Sequence, residues 1–445
     1  MAGSNQGRLD LVIIGGGVTG CSLLYAAARY TGLQRIALVE KCADVARISS
    51  AGWANSQTLH CGDIETNYTL TKALTVKRGA AMVERYARAA PDAGKIIFKY
   101  PKMVLGVGET EIAKLKQRFD EFAPHYPAMR WLDADAIAAI EPNVVAGAVG
   151  RRADSVAACG STDEYCAVDF GALARSLADA AQREGGERVD LRLQCAVQNI
   201  EKTADGFRVH TNQGVLESAT VVVAAGGYSL LFARRMGYGL NYACLPVAGS
   251  FYFTPAVLNG KVYTVQNDKL PFAAVHGDPD VLVPGKTRFG PTALMLPVLE
   301  RYTPRTFFDY IRMSGMDGAV IGAMWELFRD ADIREYMLRN VLYEVPLLRR
   351  RLFLSQVQKI VPSLRLEQLQ FAHRVGGIRP QLIDKATKKL LLGEAKIDPG
   401  NGIIFNMTPS PGATSCLANA EKDLDVVTRY LGVTFDRERL TTELG

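Results

Sequence analysis

A chain of 445 residues, set against a norm of roughly 150 per domain, has room for two or three domains and a sizeable buried core. Lys and Arg number 52 against 46 Asp and Glu, an excess of 6 with no long basic run, which argues against nucleic acid as a partner. With 48% hydrophobic and 22% charged residues, collagenous, disordered and disulfide-scaffold classes are excluded. The eight cysteines, at 21, 42, 61, 159, 166, 195, 244 and 416, form no CxxC pair and no zinc or iron–sulfur spacing. They read as reduced thiols of a cytoplasmic protein with no metal site.

In chain order, the first element is an apolar strand, Leu9 to Ile14, followed by Gly15, Gly17 and Gly20 in GxGxxG spacing and a helical stretch from Cys21 to Tyr30. The first glycine allows a tight turn, the second a close approach of backbone to a pyrophosphate, and the third the packing of helix on strand. A second strand, Arg35 to Val39, ends at Glu40, whose carboxylate is placed to accept hydrogen bonds from ribose hydroxyls. Gly106-Val107-Gly108 begins a second such motif, but Glu111 stands where the third glycine belongs and would oppose a phosphate. A single dinucleotide motif without a dithiol points to electrons entering from an organic substrate.

Further along, Ile96 to Gly108 reads as a strand, and Thr220 to Ala225 as another that ends in the small-residue turn Gly226-Gly227. Val247 to Pro297 alternates apolar residues between Pro and Gly breaks and reads as a sheet-rich region, whereas Leu299 to Leu369 carries helical patterns and the cluster Arg349-Arg350-Arg351. Ile403 to Phe405 is a strand, after which Thr408 to Gly412 turns into a helix from Ala413 to about Tyr430. A helix N-terminus there, with Gly412, Ala413 and Thr414, is suited to negative charge on a reduced flavin. Three uncharged runs, Leu11 to Ala28, Met236 to Gly260 and Pro399 to Ala420, are interrupted by glycines or prolines, so neither a membrane span nor a signal peptide is expected.

The segment Ser49-Ser50-Ala51-Gly52-Trp53-Ala54-Asn55-Ser56-Gln57-Thr58-Leu59-His60, continuing to Glu65, resembles the flavin-contacting stretch of a family of FAD-dependent oxidoreductases. That family includes D-amino acid oxidases, L-2-hydroxyglutarate dehydrogenases and malate:quinone oxidoreductases, and the likeness is strongest to the last. The resemblance implies an α/β fold with a discontinuous Rossmann-like FAD-binding domain at 1–80, 145–240 and 375–445. A sheet-rich α+β substrate domain would occupy 81–144 and 241–374, including a helical region near 299–369. It also implies FAD contacts at Ser50, Trp53, Asn55, Thr58, His60 and Gly226, beside those of the glycine motif. The implied reaction is oxidation of a small 2-hydroxy acid, foremost L-malate to oxaloacetate, with a quinone as acceptor. L-2-hydroxyglutarate or lactate oxidation, or an oxygen-using amine or amino-acid oxidase, are the alternatives.

Such chemistry needs a cation for the carboxylate and a base for the hydroxyl proton. Arg379, in Gly376-Gly377-Ile378-Arg379-Pro380-Gln381, offers a planar fork in a motif like that of the family's arginine. His276, at the end of an apolar run and two residues before Asp278, resembles the histidine that related 2-hydroxy acid dehydrogenases carry on a strand facing the flavin. Arg288, or Lys286 in its place, supplies a second cation for a dicarboxylate. His373 and Arg374 fall near the same site, while His125 and His210 read as surface residues. A quinone acceptor implies peripheral contact with the inner face of the cytoplasmic membrane. The apolar and cationic residues Phe307, Phe308, Tyr310, Ile311 and 347–354 are the candidate surface.

Overall fold

The computed structural model describes residues 7–266, 274–314, 331–387, 389–391, 395–407 and 411–445, with positions 318, 321, 322, 325 and 329. Outside the described residues lie Thr408 to Ser410 of the expected C-terminal turn, Pro271 to Ala273 ahead of His276, and parts of the expected 299–369 helical region.

Continuous apolar runs build the first sheet. Five strands run parallel in the order Ile403–Met407, Gly214–Val223, Leu9–Ile14, Ile36–Val39, Val189–Arg192. Buried on both faces, Ile36–Val39 shows no polar alternation, as expected of a parallel strand covered on both sides. Ala395–Ile397 closes one edge, and the pair Val197–Lys202 and Phe207–Thr211 leads antiparallel into Gly214–Val223. Helices Val18–Tyr30, Phe170–Gly185 and Cys416–Leu431 share one core with this sheet through Leu23, Leu24, Leu173, Leu177 and Leu424. Asp169 starts the second of them by accepting from the amides of Gly171 (2.8 Å) and Ala172 (3.1 Å).

The second sheet has eight strands in the order Gln370–Phe371, Tyr252–Pro255, Lys286–Gly290, His276–Pro279, Lys261–Thr264, Ile97–Val107, Val156–Val168, Arg130–Leu132. Side chains alternate across it. Tyr252, Phe289, Val262 and Met103 pack toward the helix Arg349–Ile360, with the Tyr252 ring stacked on Phe353 at 4.2 Å. The opposite face is charged, because the register sets Arg288 against Asp278 and Lys261 against Lys102. A smaller antiparallel sheet joins Leu294–Met295, Tyr242–Ala248, Ile378–Asp384 and Lys389–Leu391.

Pairing departs from the division drawn on the sequence at two places. Val156–Val168, assigned with 145–240 to the nucleotide-binding part, pairs instead with Ile97–Val107 in the second sheet. Tyr242–Ala248 and Ile378–Asp384, assigned to different parts, lie side by side. Both contacts are between residues far apart in the chain, where local pattern carries no information. The C-terminal helix begins at Cys416 rather than Ala413, with residues 411–415 in a turn before it. At the incomplete second glycine motif, the Glu111 carboxylate accepts from the Val107 amide (3.0 Å) and pairs with Lys359 (2.6 Å), so the negative charge opposed to a phosphate is held there.

Candidate active site

Where the C-terminal ends of the parallel strands meet the smaller sheet, a cavity of about 370 Å³ opens. Its first wall is the glycine turn. Gly15 has φ +112°, and a Cβ there would stand 2.6 Å from the Ala224 carbonyl oxygen, so neither the conformation nor the space admits a side chain. Gly20 is off the wall and serves packing, since a Cβ would lie 1.9 Å from the Gly15 carbonyl oxygen. Gly17 precedes the helix Val18–Tyr30 and lines the cavity, and Ser50 Oγ accepts from the Val18 amide at 2.9 Å. Glu40 lines the same cavity, its carboxylate fixed by the amides of Gly16 (2.6 Å) and Cys42 (2.8 Å). A helix start open to an anion, with a carboxylate at the end of the next strand, has the donor and acceptor set that a dinucleotide requires.

The segment 49–60 forms the second wall. Asn55 donates to the Ala51 carbonyl (2.8 Å), and Gln57, at φ +51°, donates through its amide to the Gly52 carbonyl (3.0 Å) while accepting from the Val281 amide (3.0 Å). Ser50, Asn55, Thr58 and His60 thereby reach the cavity, as do Gly226, Gly412, Ala413 and Thr414 from the other segments. The His60 amide donates to Thr414 Oγ1 (3.1 Å), tying this wall to the turn before the last long helix. Trp53 is not on the wall. The residue is 40% exposed, its ring lies 5.7 Å from the Arg47 guanidinium, and its carbonyl accepts from the Gly376 amide (2.8 Å).

Behind His60 stands a group whose role the sequence did not disclose. Glu65 Oε1 lies 2.7 Å from His60 Nδ1, and Glu65 Oε2 accepts from the Gly62 amide (2.9 Å). A carboxylate only accepts, so Nδ1 carries the proton and Nε2 is the basic nitrogen. Burial alone would raise the Glu65 pKa, but the hydrogen bond and charge of His60, with Lys102, outweigh it and hold the group below the usual carboxylate range. A His followed five residues later by a Glu was the available signal; the turn at Gly62, φ +89°, that folds one onto the other was not legible.

Arg379 lies on the third wall, in the strand Ile378–Asp384 opposite Val247. The preceding glycines serve the backbone: a Cβ on Gly376 would stand 1.9 Å from the Gly249 carbonyl oxygen, and one on Gly377 2.1 Å from that of Ala54. Burial lowers the Arg379 pKa, against the pull of Tyr263, Tyr68 and Tyr336. The structure does not bring His276 or Arg288 to the cavity wall. His276 is 1% exposed within the second sheet, its ring stacked on Tyr263 at 4.2 Å and its Nε2 3.2 Å from Asp278 Oδ2. Burial pushes its pKa down to about 4, although Asp278 pulls upward. Lys261, unremarked in the sequence, donates to Asp278 Oδ1 (3.2 Å) and to Thr58 Oγ1 (3.1 Å), and Thr58 Oγ1 is also 2.8 Å from the Tyr263 hydroxyl. Lys286 is half-buried at the far end of its strand, and His373 is exposed.

A parallel sheet with this nucleotide cradle, joined to a large, mostly antiparallel sheet, defines a dinucleotide-dependent oxidoreductase. The chain belongs to the FAD dependent oxidoreductase family, whose profile matches residues 10–421. It is 44% identical, over 99% of its own length and 100% of the relative's, to the probable malate:quinone oxidoreductase of Campylobacter jejuni. Among solved structures it is similar to glycine oxidase from Geobacillus kaustophilus, with a TM-score of 0.66, 18% identity and 95% of each chain covered. The L-alpha-glycerophosphate oxidase of Mycoplasma pneumoniae, solved with FAD bound, gives a TM-score of 0.64 at 21% identity, again over 95% of each chain.

Proposed function

We propose that the protein oxidises L-malate to oxaloacetate and delivers the two electrons to a quinone. Full-length similarity to malate:quinone oxidoreductases supports the substrate and acceptor. The observation that carries the chemistry is the sharing of one cavity by Arg379, His60 with Glu65 behind it, and the nucleotide cradle. Gly15, Gly17, Glu40 and Ser50 would hold the pyrophosphate and ribose of FAD, while Thr58, His60, Gly412, Ala413 and Thr414 would contact its flavin end. When bound, FAD supplies an acceptor for the hydride that leaves the hydroxyl-bearing carbon.

The protein's own part is to bind and to move a proton. Arg379 holds the carboxylate next to the reacting carbon with two parallel hydrogen bonds. His60 Nε2 takes the hydroxyl proton as the C–H bond breaks, and Glu65 stabilises the imidazolium that results. His276, read from the sequence as the base, has no such access: it is buried, neutral and pressed against Asp278.

A quinone resides in the bilayer, and among the described residues no helix is long and apolar enough to cross one. Contact then falls to an exposed surface on the inner face of the cytoplasmic membrane. Phe308 (65% exposed), Phe307 and Ile311 offer apolar groups next to Arg305 and Arg312, and Leu347 is 89% exposed near Arg351. Leu348, Arg351 and Leu352 are exposed beside them, while other residues of the expected surface are committed inward. Tyr310 and Phe353 are buried, Arg349 lies over the Phe371 ring at 3.8 Å, and Arg350 donates to the Leu369 carbonyl (2.7 Å).

The test is anaerobic bleaching of the flavin across L-malate, L-2-hydroxyglutarate, L-lactate and a set of amino acids, followed by reoxidation with a soluble quinone. L-Malate should reduce fastest and the quinone should reoxidise faster than oxygen does. Faster bleaching by an amino acid would overturn the reading.

A further inference from the structure

Arg288 is the largest fully buried side chain among the described residues, at 0% exposure, and the mechanism above does not use it. Among the described residues its Nε and both terminal nitrogens make no hydrogen bond. The contact nearest to one is an ion pair of NH1 with Asp280 Oδ2 at 3.5 Å. The other oxygen of Asp280, Oδ1, accepts from the amides of Leu282 (2.8 Å) and Val283 (2.9 Å). Asp278, opposite Arg288 in the sheet, is held by Lys261 and His276. A buried guanidinium with its donors unfilled is costly, because each donor has lost its water and gained no acceptor.

The Phe251 ring touches both this cation and the cavity. The Arg288 guanidinium lies 4.4 Å from the centroid of the Phe251 ring, and Phe251 is itself a wall residue of the cavity. A hydrogen bond from a charged donor is stronger than the attraction of a cation for a ring, and a carboxylate accepts two from one guanidinium. Exchanging the ring for a carboxylate therefore favours the carboxylate.

We propose that Arg288 is the anchor for a second carboxylate of the substrate and that Phe251 is the shutter which must turn aside to admit it. The inference rests on the reading of the cavity as a 2-hydroxy acid site and sharpens it: Arg379 receives the carboxylate beside the reacting carbon, and Arg288 selects four-carbon dicarboxylates over monocarboxylates of similar length. Phe251 keeps the site closed and dry when the second carboxylate is missing.

The test uses acids that carry no hydroxyl and so cannot be oxidised. Succinate and butyrate are titrated into the FAD-loaded protein, with the shift of flavin absorbance as the readout and bound flavin and melting temperature checked for each variant. The wild type should bind succinate at least tenfold more tightly, and Arg288→Gln should reduce the succinate-to-butyrate ratio at least tenfold. Phe251→Leu, which leaves Arg288 in place, should raise the association rate of succinate several-fold more than that of butyrate. The proposal is overturned by a wild type without preference for succinate, by an Arg288→Gln ratio equal to that of wild type, or by Phe251→Leu changing both association rates alike. Should L-malate fail to bleach the flavin while the succinate preference and its loss in Arg288→Gln persist, the oxidation reading fails and the anion site stands.

Discussion

Replacing Glu65 by Gln isolates the orienting role of one carboxylate with almost no change of shape. In the wild type two donors converge on Glu65: His60 Nδ1 at 2.7 Å and the Gly62 amide at 2.9 Å. A carboxylate satisfies both, but a primary amide has one accepting oxygen and one donating nitrogen. If the oxygen keeps the backbone amide, the NH2 faces Nδ1 and drives the imidazole to the tautomer with its proton on Nε2, the nitrogen needed as base. If the oxygen keeps His60, two donors face each other at Gly62 and the imidazolium loses its counter-charge. The smaller loss is the difference between a charged and a neutral hydrogen bond, about 1–1.5 kcal/mol, or roughly tenfold in rate; the larger is a general base's share, about 10²–10⁴-fold. Stopped-flow reduction of the bound flavin by saturating L-malate should therefore slow by at least tenfold, with flavin content unchanged. A rate within twofold of wild type between pH 6 and 9 would refute the assignment of His60 as the base.

Three further expectations follow from the same geometry. Gly17→Val puts branched carbons where only 3.2 Å separates a Cβ from Ser50 Oγ, at the start of the helix, so the purified variant should lack the flavin absorbance near 450 nm; a fully yellow protein would count against the cradle. His276, whose folded pKa of about 4 lies below the ordinary imidazole value of 6.5, favours folding in its neutral form; stability is full above pH 6.5 and is lost as pH falls toward 4, by about 3 kcal/mol. Urea unfolding at pH 7 and pH 4.5 should show a smaller pH effect in His276→Leu than in wild type, and equal effects would refute the burial argument. Phe308→Ser with Leu347→Ser should reduce sedimentation with anionic liposomes at low salt and slow turnover with a lipid-embedded quinone while sparing a soluble one; unchanged sedimentation removes that surface from consideration.

What the sequence made legible was what lies close together along it. The strand Leu9–Ile14, the three glycines, the helix and Glu40 span little more than thirty residues, and each has a local reason for its type. The sheet pairings were harder. Val156–Val168 carries no mark that sends it to Ile97–Val107, and its middle, from Thr162 to Tyr165, is partly exposed, so its alternation is broken where the partner must be recognised. His276 was read as the end of an apolar strand before a polar turn, whereas it opens the strand His276–Pro279, with Gly277 and Asp278 inside that strand, and the strand's facing depends on what lies beside it.

Facing alone does not explain why the histidine chosen from the sequence and the one on the cavity wall differ. In an antiparallel sheet, His276 and Asp278 point to one side only as a consequence of period two, and which side is the cofactor's is decided by the helix that covers the other. Here the helix Arg349–Ile360 takes the apolar face through Phe353 and Val357, which forces Arg288, Asp278, Lys261 and His276 inward together. Each of these could have been a surface residue by its type, and none has a sequence neighbour that reports the pairing. His60 reaches the cavity by a shorter route: it follows Thr58, whose backbone bridges to Ala167, and its amide is held by Thr414. A loop pinned at both of those points presents its side chain to the cavity, whereas a strand inside a covered sheet presents its polar groups first to one another.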